Sequence, residues 1–141
     1  MNEPSLRIKS YTYWQLHLHP SSSYLGRTYL LLKDNQLFED FLSIEGVARE
    51  EFFDIGNSLK RALQLLFQPD KMNVAALSNT CEKIHVHFIP RYKESRHYHG
   101  REFKDLRWGK NYAPYDPDCK LEEALTTYLI KDLQEKLSLN P

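Results

Sequence analysis

The chain has 141 residues and a mass of 16.7 kDa, a size that suits one hydrophobic core and buries roughly 68% of the unfolded surface. Apolar residues make up 41%, charged residues 27% and aromatic residues 13%, with only five Gly and seven Pro, which excludes disordered, collagenous and low-complexity chains. Nineteen Lys and Arg balance nineteen Asp and Glu, so no overall field draws in a nucleic-acid polymer or an anionic membrane, and any anion site must be local.

Cys81 and Cys119 are too few for a disulfide scaffold, and no basic start followed by an apolar stretch reads as a secretion signal. A reducing cytoplasm is the expected location. Apolar runs such as Tyr29 to Leu32 fall far short of the ~20 residues that cross a bilayer.

In chain order, residues 6–18 alternate loosely and are rich in Tyr, Trp, Ile and Leu, which predicts one or two strands. Pro20 to Ser23 has turn composition and leads through Tyr24-Leu25-Gly26-Arg27 into a strand at Thr28 to Leu32. From Ile44 the period changes: Val47, Ala48, Phe52, Ile55, Leu59, Ala62, Leu63, Leu66 and Phe67 draw one apolar stripe, predicting a helix over 44–67. Ser43 is placed to cap it, and Pro69 lies just past its end.

Met72 to Leu77 and Ile84 to Tyr92 read as strands that pair through the loop around Asn79. Residues 93–117 mix Arg, His, Tyr, Gly and Pro without a period and read as a functional loop. Leu121, Ala124, Leu125, Tyr128, Leu129, Leu133 and Leu137 then mark a C-terminal amphipathic helix within 118–138. With no repeat and no linker, residues 1–141 form a single α+β domain built on a mostly antiparallel sheet of about five strands.

The segment that can carry chemistry is Lys83-Ile84-His85-Val86-His87-Phe88-Ile89-Pro90-Arg91-Tyr92. Strand alternation sets Lys83, His85 and His87 on one side and sends Ile84, Val86 and Phe88 into the core. A neutral imidazole, with an ordinary pKa of about 6.5, is a competent nucleophile near neutrality. The second imidazole and the ammonium are suited to hold phosphate oxygens as phosphorus is attacked.

This segment resembles the histidine triad nucleotide hydrolases and transferases, whose motif is His-x-His-x-His followed by two apolar residues and often Pro-Arg. The last two histidines align with His85 and His87, and Lys83 stands in place of the first. Tyr24-Leu25-Gly26-Arg27, the long helix, Met72-Asn73-Val74 and Asn79 follow the family's order and approximate spacing, so the resemblance spans roughly residues 10–115.

The resemblance implies that His85 attacks the α-phosphorus of a nucleotide to form a nucleotidyl-imidazole intermediate while His87 contacts the phosphate. The family's first histidine acts largely through its backbone carbonyl, which Lys83 also possesses, although the lost imidazole predicts a slower enzyme or a changed leaving group. By the same resemblance Asn79 holds a phosphate or ribose oxygen and His19 lies where ribose hydroxyls are gripped. Arg27 falls where many members have a further histidine, and its guanidinium suits a phosphate. The segment after the motif, with Arg96, His97, His99, Arg101, Arg107, Trp108 and Lys110, often closes over the substrate in related proteins.

The implied substrate is a nucleoside phosphate derivative, of the dinucleoside polyphosphate or nucleoside phosphoramidate type. No cofactor and no metal are expected, and a homodimer is expected through the long helix and the sheet. Three other readings have different signatures. A nucleotide-binding module that has lost turnover is kept open by Lys83. A zinc domain would draw on Cys81, His85 and His87 with His97 or His99, a spacing that matches no zinc motif. A pure protein-interaction domain predicts no response of melting temperature to nucleotides.

Overall fold

Alternation decides what each strand buries. The computed structural model describes residues 6–79 and 82–139. β1 (Arg7–Ser10), β2 (Trp14–Leu18), β3 (Thr28–Leu32), β4 (Lys71–Ala75) and β5 (His85–Arg91) form a sheet of order β1-β2-β3-β5-β4 in which every neighbouring pair is antiparallel. Along β2 and β3 every second residue is buried: Trp14, Leu16 and Leu18, then Thr28, Leu30 and Leu32. The register sets Leu30 opposite both Leu16 and Val86, so three strands deliver apolar side chains to one spot.

That inner face is closed by two helices. α1 (Gly46–Phe67) buries Ala48, Phe52, Ile55, Leu59, Ala62, Leu63 and Phe67, and α2 (Glu123–Ser138) buries Leu125, Leu129, Leu133 and Leu137 at intervals of one helical turn. Each such leucine contributes about 1.5–3 kcal/mol relative to leaving it in water. The helices share one core cluster with the inner residues of the strands, and Gln134 of α2 donates to the carbonyl of Ile8 at 2.9 Å. Gly26 is needed where the chain enters β3. It has φ +84, and a Cβ there would lie 2.8 Å from Leu63 Cδ2, so only glycine lets α1 approach this closely.

The structure moves three boundaries. Ser43 does not cap α1. It ends a 3-10 turn, Phe41–Ser43, where its N–H and hydroxyl both donate to Asp40, and α1 starts later, after Glu45 in an extended conformation and at Gly46 with φ +63. β4 starts at Lys71 and stops at Ala75, before Leu77, which is exposed. Residues 93–117 are not all loop: β6 (Arg96–Tyr98) and β7 (Arg101–Phe103) form a hairpin, turned at His99 and Gly100, both with positive φ. Tyr98 donates its hydroxyl to Asp132, which docks the hairpin on α2.

The remainder of that segment folds over the outer face of β5, and Arg91 holds it there. The guanidinium makes a bidentate pair with Asp105, Nε to Oδ2 at 2.7 Å and one terminal nitrogen to Oδ1 at 3.1 Å. It also donates to the carbonyls of Arg107 and Lys110 and to the side chain of Asn73. Asp105 in turn accepts the N–H groups of Tyr92 and Arg107. Arg91 and Asp105 are 3% and 8% exposed, so this is a buried ion pair whose donors are all used.

Candidate functional site

The site grows out of β5 on the face the helices leave open. Ile84, Val86 and Phe88 enter the core, and His85 and His87 therefore project to the other side. Their cross-strand neighbours on β3 are Leu31 and Tyr29. Just past the end of β2, His19 comes down beside them, with ring centroids 5.7 Å from His87 and 6.3 Å from Tyr29. His85 and His87 are 5.0 Å apart, edge to face. These four rings, with Lys83, Leu31 and Pro20, line an open cleft of about 370 Å³.

Hydrogen-bond partners fix where each imidazole keeps its proton. His85 Nδ1 lies 2.8 Å from the carbonyl of Lys83. A carbonyl only accepts, so Nδ1 carries a hydrogen, and in the neutral ring the lone pair is on Nε2. Ser78 also donates to that carbonyl, at 3.5 Å. His19 is the reverse, because its Nδ1 accepts the backbone N–H of Ser21 at 3.1 Å and its proton sits on Nε2. His87 Nδ1 lies 3.4 Å from a terminal nitrogen of Arg27. One ring thus offers a nucleophilic nitrogen, and a neighbouring ring offers an N–H.

Burial and charge keep two of these rings neutral. His87 is lowered from 6.5 to about 4, chiefly by burial and then by the Arg27 guanidinium and His85. His19 is lowered to about 3, again first by burial, then by Arg27, His87 and Lys120. The structure places Arg27 behind His87. It is 2% exposed, its guanidinium carbon lying 4.6 Å from the ring centre of Tyr115 and 5.3 Å from that of Tyr112.

Lys83, His85, His87 and His19 therefore meet in one cleft, with Arg27 beneath it. Asn79 is exposed and does not line the cleft. From the basic loop, Arg96 donates to the carbonyls closing α1, Arg101 pairs with Glu122, and Trp108 packs between Lys71 and Lys93. His97 faces Glu102 and His99 stacks on Tyr128, so neither reaches the cleft. Among the described residues no group of three or more His, Cys, Asp or Glu is arranged to hold a metal ion; Cys81 lies outside them.

No protein-family model and no curated protein sequence matches the chain. Solved structures do. A histidine triad protein from Marinobacter aquaeolei VT8 superposes with a TM-score of 0.79 at 19% identity, covering 97% of this chain and 91% of that one. A histidine triad (HIT) protein from Sinorhizobium meliloti 1021 gives 0.77 at 15% identity, covering 94% and 89%. A hypothetical histidine triad nucleotide-binding protein from Sulfolobus tokodaii strain 7 gives 0.69 at 15% identity, covering 97% and 86%. The chain has the histidine triad fold.

Within the histidine triad fold, several site features were not read from the sequence. Tyr29 and His17 stack at 5.1 Å and extend the ring surface outward from His87. Their signal was available, since both occupy outward positions of alternating strands. Tyr112 and Tyr115 had none, because they lie in a segment without period and act on a residue far away in the chain. Tyr24 secures that segment by donating its hydroxyl to the carbonyl of Tyr112 at 2.6 Å.

Proposed function

We propose that the protein is a hydrolase or transferase that attacks the α-phosphorus of a nucleoside phosphate derivative through His85. The observation that carries this reading is the 2.8 Å bond from His85 Nδ1 to the Lys83 carbonyl, which leaves the lone pair on Nε2 in the cleft. Residue 83 supplies this bond from its backbone, so lysine in place of the family's histidine leaves the key contact intact. The histidine triad fold and the nucleotide-binding name of one structural neighbour agree with the substrate class.

In the proposed reaction the Nε2 lone pair forms a bond to phosphorus, and the bond from phosphorus to the leaving group breaks. The ring then carries positive charge, which the Nδ1–H to carbonyl bond disperses. The leaving group departs with its electron pair and takes a proton from solvent. Nε2–H of His87 and of His19 donate to phosphoryl oxygens, where one such donor is worth about 2.7–4 kcal/mol in a transition state. Lys83 balances charge at the mouth of the cleft, and Asn79, exposed outside the cleft lining, keeps the substrate-orienting role that the family resemblance implies. Water then attacks phosphorus and gives up a proton to solvent, the P–N bond breaks with its electron pair returning to Nε2, the nucleoside monophosphate leaves, and His85 returns to its neutral form. None of these steps calls on a metal or a cofactor.

Single-turnover reaction with a nucleotide substrate labelled at the α-phosphorus tests the reading. The expected result is an acid-labile label on His85 that is absent from His85→Ala. Tight binding of the nucleotide with no label on His85 would instead make the protein a nucleotide-binding module.

We further propose a twofold homodimer through α1. Phe53 and Leu65 are exposed on this helix, at 53% and 59%. Glu50 and Asp54, beside Arg49, leave its first half net acidic, and Lys60 and Arg61 make its second half basic, so an antiparallel copy brings halves of opposite net charge together.

A further inference from the structure

Arg27 breaks a general rule of protein interiors. Buried charges are paired with an opposite charge, because an unpaired one loses hydration without recompense. Arg27 is 2% exposed, yet no carboxylate is bonded to it, and among the described residues its Nε and one terminal nitrogen have no hydrogen-bond partner. Among the described residues the one hydrogen-bonded neighbour of the guanidinium is Nδ1 of His87, at 3.4 Å. The rings of Tyr112 and Tyr115, stacked on each other, lie beside it, and their π clouds offset part of the lost hydration without offering an acceptor. Buried beneath His87, Arg27 is not among the residues that line the cleft.

We infer that Arg27 is a positioning residue that fixes the proton of His87 on Nε2. A guanidinium has five N–H donors, no acceptor, and does not lose its proton in proteins. Nδ1 facing it must therefore keep its lone pair, which excludes both the Nδ1–H tautomer and the doubly protonated ring. The groups that face His87 all favour the same outcome. Arg27 precedes β3, His85 shares β5, His19 follows β2, Tyr29 lies opposite on β3, and Lys83 lies at the mouth of the cleft. None of the charged groups acting on His87 is a carboxylate that would favour an imidazolium.

Adjacent histidines are thus set in opposite proton states by unrelated devices, a backbone carbonyl for His85 and a buried cation for His87. The consequence for catalysis rests on the function proposed above: His87 faces the phosphoryl group as a neutral donor, and does not compete with His85 as a base. The proton assignment itself does not depend on that function.

The test is long-range ¹H–¹⁵N correlation of the imidazole rings in the substrate-free protein, with His87 signals assigned by their loss in His87→Gln. The expected wild-type result is an Nε2–H tautomer for His87 with a titration midpoint near 4. In Arg27→Met the single tautomer gives way to a mixture and the midpoint moves up toward 6.5, while His85 keeps its Nδ1–H tautomer and so reports an intact site. If Arg27→Met does not fold, Arg27→Gln serves: its amide both donates and accepts, so the charge and the donor-only constraint are lost together, the tautomers mix and the midpoint rises. An Nδ1–H tautomer in the wild type overturns the inference, as does an unchanged His87 midpoint in a folded variant. Correct tautomers with no label on His85 would sink the proposed reaction and leave this assignment standing.

Discussion

At residue 83 the main chain matters more than the side chain. The Lys83 ammonium sits at the mouth of the cleft, but the carbonyl of the same residue orients His85. Lys83→Ala is therefore expected to retain the covalent step, with its effect confined to substrate affinity, whereas Lys83→Pro reshapes the carbonyl's approach and should abolish labelling of His85. Rapid-quench measurement of the labelled intermediate distinguishes the two. Gly26 supplies a second prediction of this kind. Gly26→Ala places a methyl 2.8 Å from Leu63 at a φ of +84, and should cost about 2 kcal/mol or more, read as a lower urea midpoint. At both positions a side chain contributes less than the backbone it is attached to.

Among the elements, β5 carries the site at one end and holds the covering loop at the other. Asp105→Ala leaves Arg91 charged and buried with its carboxylate gone, an arrangement that costs about 3–5 kcal/mol. The amides of Tyr92 and Arg107, which donate to Asp105, should then exchange hydrogen faster than the rest of β5. Elements with strong patterns were legible in the sequence: α1 and α2 through their apolar stripes, β2 and β5 through alternation, and β3 as an apolar run entered from a turn. The start of α1 was not, because Ser43 has the chemistry of a helix cap and here serves a shorter turn. The β6–β7 hairpin was hidden by its length, three residues per strand, and by mostly polar pairs such as His97 with Glu102. In the site, the face shared by His85 and His87 followed from strand geometry alone. The burial of Arg27 did not, since it depends on Tyr112 and Tyr115, brought over it by a loop with no pattern of its own.

For the molecule as a whole, the two neutral histidines tie stability to pH. The native pKa values of His87 and His19, about 4 and about 3, lie below the ordinary 6.5. As pH falls through 6.5 the unfolded chain takes up protons that the native protein refuses, so their contribution is complete above 6.5 and is lost between 6.5 and roughly 3–4. The denaturation midpoint should drop from pH 7 to pH 4.5, and drop less in His19→Gln. Light scattering at neutral pH checks the association proposed for α1, where Phe53→Asp is expected to yield monomers. The sheet that links these properties has two faces, one given to the helices and one to the cleft, and strand geometry assigns them by parity. Along residues 83–88 the even positions answer to the core and the odd ones to chemistry. Natural selection can therefore rewrite activity at 83, 85 and 87 while the scaffold endures, so that an inactive descendant of this protein would still fold.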